Sequence, residues 1–155
     1  MNPVKHLLIV YSTETGRTRQ LARSACAGAA EFGEEVELRC LRAGEAGIDE
    51  LLWAGGLLIG SPENFGYLSG AVKDFLDRTY YPAEGKTLGL PYAMFVSAGN
   101  DGSGAVRALE RVAGGYQWKR VAEPLICRGE ITADALAAAR ELGQTMAAGL
   151  SMGVL

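Results

Sequence analysis

Apolar positions fall along this chain in short runs separated by longer stretches with a single apolar face. Runs of strand length lie at Val4–Tyr11, Val36–Leu41, Leu57–Gly60, Tyr92–Val96 and Val121–Cys127. Alternation of such runs with helical periodicity predicts parallel strands joined by crossover helices. Leu7–Val10 and Leu57–Ile59 are continuously apolar instead of alternating, which places those two strands centrally, with helices covering both faces.

The helices follow from apolar spacing and caps. Leu21, Ala25, Ala29 and Phe32 give the first a buried stripe, with Gly33 as its stop. A short second helix is expected at Asp49–Trp53. Val72, Phe75, Leu76 and Thr79 form the third behind Ser69 as N-cap, and Val106, Leu109, Ala113 and Tyr116 mark the fourth. The last opens at Thr132, with Ile131 and Leu136 spaced for a hydrophobic staple, and its stripe is Leu136, Ala139, Gly143, Met146 and Leu150. Pro82–Leu90 reads as a surface connection, not a boundary. The expectation is one doubly wound α/β domain over residues 1–155, with a five-stranded parallel sheet of order 2-1-3-4-5. Ligands of such sheets bind at the carboxyl ends of the strands, so the chemistry belongs in the loops after strands one, three and four.

Composition narrows the partners. With 155 residues and 48% hydrophobic content the chain suits a single domain with a two-faced core. A net charge of -3 with no basic stripe argues against nucleic acid. Leu7–Tyr11 is too short to span a bilayer and lacks a cleavage site, so a soluble, cytoplasmic protein without membrane contact is expected. Cys26, Cys40 and Cys127 form no Cys-x-x-Cys pair and read as buried structural thiols in a reducing compartment.

The loop after strand one carries the strongest chemical signal. In Ser12-Thr13-Glu14-Thr15-Gly16-Arg17-Thr18, four hydroxyls surround one glycine where a helix begins. Free backbone N–H groups and the positive helix end favour a phosphate there, and one hydroxyl would have sufficed for capping. In the loop after strand three, Ser61-Pro62-Glu63-Asn64-Phe65-Gly66-Tyr67, Pro62 stiffens the exit. Gly66 permits close approach to a flat ring that Phe65 or Tyr67 would cover. The loop after strand four offers Ser97, Ala98, Gly99, Asn100, Gly102 and Gly104 for hydrogen bonds to the polar end of such a ring. Glu14, Glu63 and Asp101 read as solvated loop carboxylates, and Arg17 and Lys73 as cations without a catalytic role.

Competing sites lack required residues. Gly85-Lys86-Thr87 ends like a Walker A loop, but Tyr80 stands where its first glycine belongs. A phosphoacceptor receiver needs acids where Tyr11 and Ser12 stand, and no Gly-x-Ser-x-Gly elbow is present. The sole histidine, His6, precedes strand one at the wrong end of the sheet, which disfavours a Ser-His hydrolase or a metal site.

Ile9-Val10-Tyr11-Ser12-Thr13-Glu14-Thr15-Gly16-Arg17-Thr18 resembles the flavodoxin FMN-phosphate signature, with Ala22 at its alanine and Cys26 replacing an aliphatic. Gly60–Tyr67, followed by Ser69-Gly70-Ala71-Val72-Lys73-Asp74-Phe75-Leu76-Asp77, is similar to the flavin-ring loop of NAD(P)H-dependent FMN reductases and flavodoxin-like quinone reductases. The resemblance implies a flavodoxin-like three-layer sandwich binding FMN non-covalently through the three loops. Typical flavodoxins stack an aromatic from the loop after strand four on the flavin, and this sequence has none there. Two functions remain open. One is an NAD(P)H-dependent oxidoreductase with a quinone or other small electron acceptor, and the other a flavodoxin-type electron carrier for a redox partner protein. Weak charge and the open third loop favour the enzyme. The resemblance also implies a homodimer or homotetramer, for which Phe75, Leu76, Tyr80 and Tyr81 are the interface candidates.

Overall fold

In the computed structural model, which describes residues 3–155, strands and helices alternate as the apolar pattern requires. The order is β1 (Lys5–Tyr11), α1 (Arg17–Ala30), β2 (Val36–Arg42), a helical turn (Ala43–Glu45), α2 (Ile48–Trp53), β3 (Gly56–Pro62) and α3 (Gly70–Ala83). Then come β4 (Pro91–Ala98), α4 (Ser103–Tyr116), β5 (Lys119–Arg120), β6 (Leu125–Arg128) and α5 (Ala133–Ser151). All strand pairs are parallel, in the order β2-β1-β3-β4-β5, with β6 also on β4. The flavodoxin-like order 2-1-3-4-5 is therefore present, with its outer strand in two pieces.

The break has a local cause. Between the pairs Tyr92/Arg120 and Phe95/Leu125, the four residues Val121–Pro124 stand opposite only Ala93 and Met94. Pro124 has no N–H to donate, and an edge strand is where such an interruption is tolerated.

Two cores sandwich the sheet. Leu8, Val10, Leu57 and Ile59 pack with Val72, Phe75, Leu76 and Leu109 on one face, while Leu7, Ile9, Leu58 and Phe95 pack with Leu21, Ala25, Met146 and Leu150 on the other. Every residue from Leu7 to Val10 is 0% exposed, which explains their unbroken apolar run. Burying each such side chain contributes roughly 1.5–3 kcal/mol. α1 and α5 meet almost backbone to backbone, because a Cβ at Gly28 would collide with the carbonyl of Arg140 and one at Gly143 with that of Ala25. Gly143 belongs to the buried stripe for that reason.

Caps fall largely where the sequence puts them. The Ser69 hydroxyl accepts from Val72 N (3.3 Å) and that of Thr132 from Ala135 N (3.1 Å). α1 ends earlier than expected, at Ala30, and Phe32 and Gly33 lie in the turn beyond it, Gly33 without a positive φ. α3 runs on through Pro82 to Ala83, so the surface connection begins at Glu84. Phe75 and Leu76 are core residues, which removes them as interface candidates, while Tyr81 is exposed. His6 lies within β1, not ahead of it, stacked on Trp53 at 4.4 Å with Nδ1 bonded to the Trp53 carbonyl at 3.0 Å.

The cysteines correct a second expectation. Cys26 on α1 and Cys40 on β2 are joined in a disulfide with Cα atoms 6.7 Å apart, and Cys40 is exposed. Cys40 pairs in register with Ile9 and so faces the layer that holds α1, a proximity that linear spacing does not encode. Cys127 is the free thiol, and burial raises its pKa. No described helix is long and apolar enough to cross a membrane. The described residues hold no metal-binding cluster of His, Cys, Asp and Glu.

Candidate functional site

The first loop is tied down at both ends and open in the middle. Ser12 N donates to the Gly60 carbonyl (3.1 Å), and its hydroxyl is hydrogen-bonded to that of Ser69. Thr13 Oγ1 accepts from Gly16 N (3.0 Å). Gly16 caps α1 with φ 98°, a left-handed conformation suited to glycine. No side chain caps α1 and no acid occupies its first turn, so the positive end of the helix carries neither of the usual compensations. The threonines divide. Thr15 is exposed, whereas Thr18 is buried and shares a 2.7 Å hydrogen bond with the Ser97 hydroxyl.

The second loop closes as a tight hairpin, with Asn64 and Tyr67 exchanging backbone hydrogen bonds of 3.0 and 2.9 Å. Phe65 (φ 51°) and Gly66 (φ 74°) are both left-handed, the geometry of a type I′ turn. Phe65 is the exception to that turn's usual residues, and its ring is fully exposed at 108%. Ser61 is buried, where its hydroxyl accepts from Ser69 N (3.0 Å) and donates to the Pro62 carbonyl (2.8 Å), so its side chain shapes the loop.

Glu63 is not a solvated carboxylate. It accepts from Gly102 N (3.0 Å), Gly104 N (2.9 Å) and Ala105 N (3.1 Å), neutralising the start of α4, and its own N–H donates to the Ser97 carbonyl (2.8 Å). No local capping motif signals this, because the acid lies 39 residues before Gly102. Glu14 likewise has a partner, accepting from Asn64 Nδ2 at 2.7 Å. The Ser103 hydroxyl bonded to Asp101 holds that carboxyl below its ordinary pKa.

Glycines of the third loop serve packing as well as access. Gly102 (φ 86°) faces the Ile126 side chain, and a Cβ at Gly104 would collide with the Gly66 carbonyl. Gly99, by contrast, has open space around it.

All three loops line one cleft of about 140 Å³, with Glu14, Thr15, Arg17 and Thr18 from the first, Pro62–Asn64 from the second and Ser97–Gly99 from the third. Ser12 and Thr13 line an adjoining hollow with Arg42 and Ser69, while Phe65 stands away at the hairpin tip. Arg17 pairs with Glu130 at 2.9 Å on the surface. Arg42, at the carboxyl end of β2, escaped the sequence reading. Its guanidinium lies 5.8 Å from the Tyr11 ring centroid and reaches the Thr13 carbonyl, and its place at a strand's carboxyl end was the available signal. A larger cavity, of about 450 Å³, lies between Pro3–Lys5, Glu34–Glu35 and Ser151–Gly153, at the amino end of β1, remote from these loops.

Comparison with known proteins places the chain in a family and its fold among known ones. A flavodoxin of Aquifex aeolicus (strain VF5) is 36% identical over 98 residues, covering 63% of this chain and 52% of that protein. The chain thus matches about half the length of that curated relative. A flavodoxin from the domain Archaea superposes with a TM-score of 0.84 at 20% identity, over 94% of this chain and 98% of the other. The flavodiiron core of Flv1 from Synechocystis sp. PCC6803 gives 0.82 at 19% identity, over 97% of this chain and 37% of the other. At such identities the two structures show a shared fold. The profile of the family described as NADPH-dependent FMN reductase matches residues 4–122, a span that contains all three loops. The chain belongs to that family, within the flavodoxin-like FMN-binding superfamily.

Proposed function

We propose that this chain holds FMN in the three-loop cleft and works as an NAD(P)H-dependent oxidoreductase whose electrons pass to a quinone or another small acceptor. The residues fit the cofactor's phosphate: α1 begins without a side-chain cap or an acid, and Thr15 presents an exposed hydroxyl beside it. In this reading Ser12–Thr18 hold the phosphate, while Ser61–Tyr67 and Ser97–Gly104 flank the ring. FMN supplies the redox chemistry when bound, and the protein supplies position, charge and access. Glu63 fixes the two ring loops to each other, and Arg17 and Arg42 offset anionic charge.

The observation that carries the enzyme reading is the asymmetry of the ring loops. One has Phe65 and Tyr67, whereas the other offers only small residues from Ala98 to Gly104, with Gly99 and Asn100 exposed. A second ring therefore has room on that side. Anaerobic mixing of FMN-loaded protein with NADPH or NADH is the test, and rapid bleaching of the flavin is expected. An unbleached flavin would instead select the electron carrier, the reading favoured by the likeness to the Aquifex aeolicus flavodoxin. In a homodimer or homotetramer, exposed Tyr81 would be the candidate contact on α3.

Phe65 offers a separate check. A non-glycine residue in the left-handed region costs about 1 kcal/mol or more, and a fully exposed ring recovers none of it by packing in the unliganded protein. Phe65→Asn is expected to raise stability without FMN by about 1 kcal/mol while weakening FMN binding. Unfolding and flavin titration of the variant decide it, and unchanged FMN affinity would remove Phe65 from the ring site.

A further inference from the structure

A second hollow, of about 270 Å³, adjoins the Asn64–Tyr67 hairpin and is lined by Gly66, Tyr67, Gly104, Arg107, Ala108 and Arg111. No acid lines it, although the chain carries a net charge of -3. Arg107 and Arg111 stand one helical turn apart on α4, both exposed. Arg107 Nη1 donates to Ser103 Oγ (3.2 Å), beyond which lies Asp101, whereas Arg111 forms no hydrogen bond or ion pair with a described residue. Like charges at this spacing repel weakly, which a doubly charged anion between them reverses. The floor is narrow because Gly104 and Gly66 meet backbone to backbone, and Tyr67, 44% exposed, offers a ring at one side.

We propose that this hollow receives the adenosine 2′-phosphate end of NADPH. The inference rests on the reductase reading above and deepens it by giving the nucleotide's 2′-phosphate a site on α4. Two guanidinium forks match a dianionic phosphate monoester, the group that NADPH carries and NADH lacks. The hairpin is common to both sites: its Asn64 lines the cleft and its Gly66 and Tyr67 line the hollow. A dinucleotide anchored on α4 thus lies across the hairpin with its other end toward the ring loops.

The test uses FMN-loaded protein, so that the phosphate loop is occupied, and compares the parent with Arg107→Gln/Arg111→Gln. The expected result is a fall of about tenfold in kcat/KM for NADPH, carried by KM, with little change for NADH. Adenosine 2′,5′-bisphosphate should bind the parent and bind the double variant about tenfold more weakly, with FMN affinity unaltered. Lys86→Gln/Lys119→Gln, which removes two exposed charges elsewhere, should leave both nucleotides unaffected. Equal losses for NADPH and NADH, or undiminished use of NADPH, would overturn the assignment. Should neither nucleotide bleach the parent flavin, the reductase reading falls by itself and the bisphosphate titration still decides the hollow. Binding lost in the arginine variant upholds the site, whereas no binding to the parent, or equal binding to both proteins, refutes it.

Discussion

Reducing the Cys26–Cys40 bond is expected to lower the free energy of unfolding by about 3 kcal/mol. The two cysteines are 14 residues apart, and closing a loop of that size removes about this much chain entropy from the unfolded state. The bond also fastens α1, whose first turn borders the cleft, to β2, an edge strand with only one neighbour in the sheet. Urea unfolding with and without a phosphine reductant measures the effect. Cys26→Ser and Cys40→Ser should each reproduce the reduced state and become insensitive to reductant. Cys127→Ser should keep the full response, because its thiol is unpaired. A midpoint in the parent that ignores the reductant would mean that the disulfide does not bear on stability. Exposure of Cys40 makes the bond accessible to exchange, so its state follows the thiol poise of the surroundings.

What the sequence made legible was whatever depends on short-range pattern. Leu7–Val10 and Leu57–Ile59 announce central strands because burial on both faces demands unbroken apolar runs. Ser69 and Thr132 announce helix starts because each bonds an N–H three residues on. The features that escaped depend on contacts between distant segments. Glu63 is an ordinary loop acid until the fold brings α4 to it, and Cys26 meets Cys40 because α1 packs on the Ile9 side of the sheet. The single strand expected at Val121–Cys127 is divided around Pro124, which becomes evident only against the register of β4. Within the loop after β1, the motif shows four hydroxyls as equals. The structure separates them by burial, since Ser12 and Thr18 turn inward to Ser69 and Ser97 while Thr15 stays outside.

That separation sharpens what replacing the threonines should do. Thr15→Ala is expected to weaken FMN binding by about ten- to a hundredfold, the equivalent of losing one hydrogen bond to a charged acceptor, roughly 1.5–3 kcal/mol. Stability without ligand should hardly move, because the exposed hydroxyl bonds no described residue. Thr18→Ala also weakens FMN binding, but it leaves the buried Ser97 hydroxyl without its partner and should cost about 1–3 kcal/mol of stability before any ligand is added. Thr13→Ala removes the acceptor for Gly16 N, a turn-stabilising role worth about 1 kcal/mol, with a smaller effect on affinity. FMN titration and unfolding of each unliganded variant therefore yield three different signatures from one loop. Riboflavin, which lacks the phosphate, supplies the control: the Thr15→Ala penalty should vanish with it. A Thr15→Ala protein that binds FMN as tightly as the parent would place the phosphate away from the start of α1. The ring loops alone, their glycines Gly102 and Gly104 already accounted for by packing against Ile126 and Gly66, would then be too weak a basis for the site.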